Sequence, residues 1–100
     1  MTKLEKELEA QLVKVINRRG GWCPKWTSPG TAGVPDRIVL LPGGRILFVE
    51  MKRPKGSRVG ALQEYWRDVL TRLGFENRII YTESELHSLL AELDLEEVRR

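Results

Sequence analysis

Two acidic residues and a lysine stand at the outer ends of two short apolar segments. Asp36 precedes the segment from Arg37 to Leu41, and Glu50 and Lys52 close the segment that begins at Arg45. A Pro-Gly-Gly sequence separates the two segments, and a glycine-rich turn between runs of β-forming residues predicts a β-hairpin. The three charged residues are therefore expected at the open end of one hairpin.

The register of this hairpin decides whether the charged side chains meet. If Leu41 pairs with Arg45, Asp36 faces Glu50 on the same side of the sheet, with Cβ atoms about 5 Å apart. Alternation along the strand places Lys52 on that side as well. Opposed carboxylates repel unless a cation neutralises them, and Mg²⁺ prefers carboxylate oxygens together with water and phosphate. The pattern favours a metal site over its alternative, a hairpin end with solvated charges.

The motif around these residues resembles that of a known nuclease group. Pro35-Asp36 followed by Glu50-Met51-Lys52 is similar to the signature of the PD-(D/E)XK nuclease superfamily. With Ser28-Pro29-Gly30, Gly33 to Arg37 and Phe48 to Lys52, the chain more closely resembles the virus-type replication-repair nuclease family, VRR-NUC, and in particular its small stand-alone phage and bacterial members. The likeness extends from about Leu4 to Tyr81.

This resemblance implies a metal site and roles for its residues. Asp36 and Glu50 would bind Mg²⁺ or Mn²⁺, joined by the backbone carbonyl of Met51. Lys52 would orient the attacking water and stabilise charge that develops at phosphorus. Gln63 would help to shape the active site, the alternative being an ordinary amide on a helix surface. Methionine at position 51 departs from the branched aliphatic residue more usual in the superfamily, but a carbonyl ligand does not depend on the side chain.

A glutamate from the first predicted helix is expected to complete the site. Residues 3–19 carry apolar side chains at helical spacing, and at about 100° per residue Glu5 and Glu9 fall within the apolar arc, whereas Glu7 falls outside it. A carboxylate on a core-facing side needs a partner. Two alternatives stay open, fraying of Glu5 into solvent and pairing of Glu9 with an arginine. The resemblance favours a metal role, with Glu9 as the first choice from its distance to Gly20 and Glu5 as the second.

The remaining segments predict further helices and strands. A short strand over 22–27, with Trp22 and Trp26 expected in the core, precedes the hairpin. A helix over 60–73 follows it, and a strand over 77–82 leads into a capped C-terminal helix.

Together these elements predict one α/β domain over residues 1–100. The second hairpin strand, the following helix and the last strand form a βαβ unit, so those two strands should run parallel. The expected architecture is a mixed four-stranded sheet covered by helices. That is the αβββαβ core of the PD-(D/E)XK, restriction-endonuclease-like fold, with a C-terminal helix added.

Basic residues around the predicted site are candidates for DNA contact. Lys25 lies just before a glycine-containing loop that begins at Ser28, where backbone can approach a phosphate closely. The segment after Lys52 is a positive loop expected to contact phosphates without reading sequence. Its candidates are Arg53, Lys55 and Arg58. Simple solvation of each charge is the alternative.

Composition argues against two classes of protein, membrane-spanning proteins and proteins with internal disulfides. The chain has 100 residues, 41% of them hydrophobic and 31% charged, with a formal charge of +3. It has no apolar run long enough to span a membrane and no signal-peptide pattern, so no membrane partner is expected. Cys23 is the only cysteine, which excludes disulfides within the chain and suits a reducing cytoplasm, bacterial or that of a phage-infected host.

These observations predict a metal-dependent DNA endonuclease. The resembled family implies selectivity for DNA structure, as in a Holliday-junction resolvase, and a homodimer would supply the two sites needed to cut both strands of branched DNA. Three alternatives stay open: a flap- or end-directed nuclease (exonuclease), a non-catalytic DNA-binding scaffold, and a sequence-specific restriction enzyme. A restriction enzyme would share the core fold, but this chain has no inserted segment that could recognise a base sequence.

Overall fold

The computed structural model describes residues 3–52 and 60–99, with side chains described for 5–52 and 60–94. Three helices and three strands are found along these residues. They are α1 (Lys3–Arg18), β1 (Arg37–Leu41), β2 (Arg45–Met51), α2 (Ala61–Arg72), β3 (Glu76–Ile80) and α3 (Glu83–Arg99). No helix within these ranges combines the length and the apolarity needed to cross a membrane.

The three strands form one mixed sheet in the order β1-β2-β3. β1 and β2 run antiparallel, with Leu41 opposite Arg45 and Arg37 opposite Val49, so the predicted hairpin register is confirmed. β3 lies parallel to β2, as expected when a helix connects two neighbouring strands. The open end of the hairpin therefore lies where β2 also runs beside the end of β3.

The expectation of a fourth strand over 22–27 is wrong, since the described residues form a three-stranded sheet. This segment runs antiparallel beside β1 but makes only isolated bridges to it. Trp22 and Leu40 exchange both backbone hydrogen bonds, at 2.9 and 2.8 Å. Two residues on, the carbonyl of Pro24 accepts from the N–H of Ile38 at 3.1 Å, but proline has no N–H to return. The missing donor interrupts the ladder and leaves a bridged edge segment.

The main core lies on the face of the sheet that α1 and α3 cover. Alternate residues of β2 point to this face, and apolar residues four apart on α1 pack against them. Its buried members are Leu8, Leu12, Ile16, Cys23, Val39, Leu47, Val49, Met51, Ile80, Leu86, Leu89, Leu90 and Leu93. Because α1 is held through this one stripe, its apolar spacing fixes which of its faces meets the sheet.

The opposite face of the sheet, on the side of α2, is covered only in part. Trp26 and Phe48 pack there with ring centroids 5.1 Å apart, and Phe75 meets Phe48 edge-on at 5.8 Å. Trp22 is 64% exposed, so its predicted place in the core is wrong. Its neighbour Cys23 faces the core, and alternation turns Trp22 to the other side at the turn end of the hairpin.

Candidate metal centre at the open end of the hairpin

Asp36 and Glu50 meet at the open end of the hairpin. Asp36 directly precedes β1, and the register that pairs Arg37 with Val49 places it opposite Glu50. The two carboxyl groups are joined by a hydrogen bond, and Glu50 is only 5% exposed. Both side chains therefore occupy the same small space beside the end of β2.

Burial and the nearby Asp36 change the acidity of Glu50. The pKa of Glu50 is raised from 4.5 to about 9, first by burial and then by the hydrogen bond and the charge of Asp36. The charge of Lys52 and the hydrogen bond from Gln63 oppose the rise but do not cancel it. A divalent cation would supply the positive charge that allows both carboxyls to ionise. This oxygen-rich pair therefore fits the donor preference of Mg²⁺ or Mn²⁺.

Gln63 holds Glu50 from the first turn of α2. Its Nε2 donates to Oε2 of Glu50 at 2.7 Å, and its Oε1 accepts from the N–H of Gly60 at 3.0 Å. The second bond caps the start of the helix, because it satisfies an N–H that has no partner within the helix. One amide thus ties the beginning of α2 to the orientation of Glu50.

The backbone of Met51 faces Asp36. Its N–H donates to Oδ2 of Asp36 at 2.9 Å. In an antiparallel pair, the N–H and C=O of one residue point toward the same neighbour, so the carbonyl of Met51 points to this side too. Extending the register one bonded pair beyond Arg37 and Val49 places Pro35 opposite Met51. Proline has no N–H to donate, which leaves this carbonyl without a ladder donor from Pro35.

Lys52 lies one residue beyond β2, beside the acid pair. Its backbone N–H donates to the carbonyl of Ile80 at 2.9 Å, which continues the contact between β2 and β3. The positive charge of Lys52 lowers the pKa of Glu50. The ammonium is thus close enough to act on Glu50, which agrees with the side of the sheet that alternation along the strand predicts for Lys52.

Glu9 lies on the core-facing stripe of α1 and is 6% exposed, but its carboxylate is bound to an arginine. Nε of Arg37 donates to Oε1 of Glu9 at 2.9 Å, and Nη1 of Arg37 donates to the carbonyl of Cys23 at 2.9 Å. Across residues 5–52 and 60–94, no three His, Cys, Asp or Glu side chains form a group able to hold a metal ion. The structure thus gathers the other predicted catalytic residues and holds Glu9 on Arg37.

The direction of α1 determines where Glu5, the second candidate acid on this helix, lies relative to the site. The residue Trp22, just after α1, bonds to Leu40 near the hairpin turn, whereas Glu9 bonds to Arg37 at the start of β1. The N-terminus of α1 therefore points toward the open end of the hairpin. Glu5 lies four residues, about 6 Å along the helix axis, farther in that direction and is half-buried.

The structure describes two of the five residues that are predicted to contact DNA. The segment that carries Lys25 and Ser28 is attached beside the acid pair, because the N–H of Trp26 donates to the carbonyl of Asp36 at 2.9 Å. Lys25 is exposed and Ser28 is half-buried. The other three candidates lie outside the described residues: Arg53, Lys55 and Arg58.

Arg37 is a residue whose role was missed by sequence reasoning. A signal was present, because alternation along β1 places Arg37 on the same side as Val39, which is fully buried in the core. A cation and the Glu9 carboxylate on facing apolar surfaces need each other as partners. This signal makes Arg37 a candidate for the arginine partner of Glu9 that the sequence left open, without giving the position of α1 along β1.

Comparisons with known proteins bear on the fold. No known family profile matches the chain. Over 50 residues it is 50% identical to "Putative nuclease p44" of Acyrthosiphon pisum secondary endosymbiont phage 1, a match that covers 50% of this chain and 54% of that protein. The chain thus spans about half the length of this relative.

A solved structure described as a VRR_NUC domain superimposes on this protein with a TM-score of 0.83 and 22% sequence identity. The superposition covers 90% of this chain and 97% of that one. The resemblance seen in the sequence motifs is confirmed at the level of the fold: this chain folds as a VRR_NUC domain.

Proposed function

We propose that this protein is a metal-dependent nuclease that hydrolyses the phosphodiester bonds of DNA. The observation that carries the proposal is the adjoining pair of carboxyls, Asp36 and Glu50, with the charge of Lys52 acting on them. Phosphodiester hydrolysis needs a held cation, a positioned water and positive charge near phosphorus, and these residues suit all three needs. The VRR_NUC fold and the name of the phage relative support the same function.

In this proposal Asp36, Glu50 and the carbonyl of Met51 hold Mg²⁺ or Mn²⁺. When bound, the ion polarises a phosphate oxygen and lowers the pKa of a bound water. Gln63 fixes one oxygen of Glu50, and the N–H of Met51 fixes one oxygen of Asp36. Each carboxylate therefore keeps its other oxygen for the space between them.

Lys52 is the proposed partner of the water and the phosphate. Its ammonium carries a full positive charge on a flexible stem, and it stands next to two acids that the cation would neutralise. It orients the attacking water and stabilises the negative charge that develops at phosphorus. Gln63 acts on the reaction through Glu50, whose carboxylate it holds.

The proposal assigns the acid of the first helix to Glu5, acting through a water. Position in the helix favours Glu9 over Glu5, but the carboxylate of Glu9 is engaged by Arg37 at 2.9 Å. Glu5 lies one turn nearer to the open end of the hairpin, where Asp36 stands. Water-mediated contact suits Mg²⁺, which keeps several waters when it binds to proteins.

The proposal extends to an endonuclease selective for branched DNA that acts as a homodimer in the cytoplasm of a bacterium or a phage-infected host. One domain carries one acid pair, and a two-fold dimer supplies the two sites that paired cuts need. Lys25, Ser28 and the basic residues that follow Lys52 in the sequence would contact phosphates. Such contacts position DNA by shape and charge and carry no base sequence. The basic positions are Arg53, Lys55 and Arg58.

Nicking of supercoiled plasmid in the presence of Mg²⁺ or Mn²⁺ tests the nuclease proposal. Asp36→Asn and Glu50→Gln should reduce cleavage to background, and Lys52→Ala should slow it at least about a hundredfold, each with a native far-UV spectrum. Glu7→Gln is the matched control, since Glu7 is exposed on α1, and it should cut like the wild type. Full activity of Asp36→Asn, or of the wild type in excess chelator, contradicts the mechanism.

The same protein preparations separate the other functional classes. Loss of nucleotides from the ends of linear DNA without nicking of closed circles indicates an end-directed nuclease. Tight DNA binding with no cleavage in any divalent ion indicates a scaffold.

A further inference from the structure

The ion pair between Glu9 and Arg37 is buried and joins three parts of the chain. The side chains of Arg37 and Glu9 are 16% and 8% exposed, so both charges are largely removed from water. Arg37 is the first residue of β1, Glu9 lies on α1, and the second bond of Arg37 reaches the carbonyl of Cys23 in the edge segment. These elements meet at a point one residue from Asp36.

A buried pair of this kind contributes little net stability. Removing two charges from water offsets most of their mutual attraction, and apolar residues of similar volume often do as well or better. Its geometry is more restrictive than that of apolar contacts, because the guanidinium must meet two acceptors in fixed directions. Such a pair is therefore suited to setting how far α1 is advanced along β1, which apolar packing constrains less tightly.

At the start of β1, the Glu9–Arg37 ion pair and the Asp36–Glu50 site lie on opposite faces of the sheet. Arg37 points toward α1 with the core residue Val39, whereas the carboxylate of Asp36 points to the side of Glu50. We propose that Glu9 and Arg37 are positioning residues that fix the start of β1 against α1 and so hold Asp36 in the geometry that the metal ion requires. The inference rests on the proposed metal site and gives Glu9 a role other than that of ligand.

Metal binding distinguishes the positioning role from a ligand role. If Glu9 binds the ion, Arg37→Met releases it from a competing cation and removes a nearby positive charge, so Mn²⁺ binding should strengthen. If the pair positions Asp36, the same change weakens Mn²⁺ binding by about tenfold or more, as losses of supporting contacts around metal ligands typically do. Glu9→Gln keeps an oxygen that accepts a hydrogen bond from Arg37. If the pair positions Asp36, this variant should therefore keep most of the wild-type affinity for Mn²⁺.

The experiment is calorimetric titration of Mn²⁺ into Arg37→Met, Glu9→Gln and the double variant Glu9→Leu/Arg37→Met, with urea unfolding of each. The double variant guards against misfolding, because it replaces the whole buried pair by apolar side chains. It is expected to unfold at a urea concentration equal to or above that of the wild type and still to bind Mn²⁺ about tenfold more weakly. Glu7→Gln is the surface control.

Each outcome decides the inference. Weaker binding in a folded double variant, with near wild-type binding in Glu9→Gln, supports it. Wild-type or tighter Mn²⁺ binding by the double variant overturns it, and loss of binding in Glu9→Gln overturns it in favour of a ligand role. Asp36→Asn reports on the underlying site: if it binds Mn²⁺ as the wild type does, the proposed metal site fails and the inference fails with it.

Discussion

Glu50 is a carboxylic acid in a place where the carboxylate is unstable without a cation. Burial and the adjoining Asp36 raise its pKa to about 9, and Gln63 and Lys52 only moderate that rise. The same contacts that disfavour the bare carboxylate also collect oxygen ligands in one place. An acid pair of this kind therefore opposes stability when empty and favours an ion when one is supplied.

Glu50→Gln is expected to stabilise the metal-free protein increasingly as pH rises. A group whose pKa rises on folding, here from 4.5 to about 9, contributes stability below the lower value and loses it as pH approaches the higher one. Glutamine does not titrate. The melting temperature of the variant minus that of the wild type should therefore grow between these two values, as thermal melts in chelator at several pH values will measure.

Two comparisons control this measurement. Glu7→Gln, on the exposed side of α1, should show a difference that does not grow with pH. Adding Mg²⁺ should raise the melting temperature of the wild type but not of Glu50→Gln, because only the native wild-type site binds the ion. A difference that shrinks as pH rises would falsify the assignment of this titration to Glu50.

At the scale of elements, two prolines shape the surroundings of β1. Pro24 interrupts the ladder on one side, where its missing N–H leaves the carbonyl of Ile38 without a return bond. Pro35 ends the ladder on the other side, opposite Met51. The first proline reduces a strand to an edge segment, and the second leaves an oxygen beside Asp36.

Pro35→Ala is expected to weaken metal binding. Alanine supplies an N–H opposite the carbonyl of Met51, and a bond between them would compete with the ion for that oxygen. Mn²⁺ affinity, measured by calorimetry, should fall by about tenfold. Pro24→Ala is the matched control, since it also restores a ladder donor, and its new amide should gain protection from hydrogen exchange without changing Mn²⁺ affinity. Unchanged affinity in Pro35→Ala would remove the carbonyl of Met51 from the site.

At the scale of the whole molecule, the proposed site lies at one end of a small sheet, where the edge segment, β2 and the start of α2 come together. Asp36 is bonded to the edge segment through its carbonyl and to β2 through its carboxylate. In the proposed nuclease, one such site per chain would cut one strand at a time. Coordinated cutting of both strands of a junction therefore requires a second copy of the chain.

A homodimer that makes paired nicks in a four-way junction is the expected result. Light scattering should give twice the chain mass at assay concentration, and an end-labelled junction should be cut faster than a linear duplex of the same sequence. Mixed dimers of wild type and Asp36→Asn should nick one strand of an extruded plasmid cruciform without linearising it. A monomeric mass, or equal cutting of duplex and junction, contradicts the resolvase proposal and leaves the nuclease proposal standing.

Much of the site follows from local pattern. Apolar runs of β-forming residues on each side of a Pro-Gly-Gly turn favour one register, and that register places Asp36 opposite Glu50 without reference to the rest of the chain. Helix bounds follow similarly from apolar spacing and from end signals such as the bond from the N–H of Glu85 to Oγ1 of Thr82 at 3.1 Å. These features depend on contacts between residues close in sequence.

The partner of Glu9 was decided by the tertiary structure alone. Position around a helix axis predicts which side of α1 faces the sheet, but it does not predict how far along β1 each residue lies. That advance depends on long-range contacts of α1 with the sheet and with α3, the bond from Arg37 to Glu9 among them, and it leaves Glu5 nearer to Asp36. Exposure of Trp22 has the same origin, because alternation chooses a face of the sheet but cannot say whether a helix covers it.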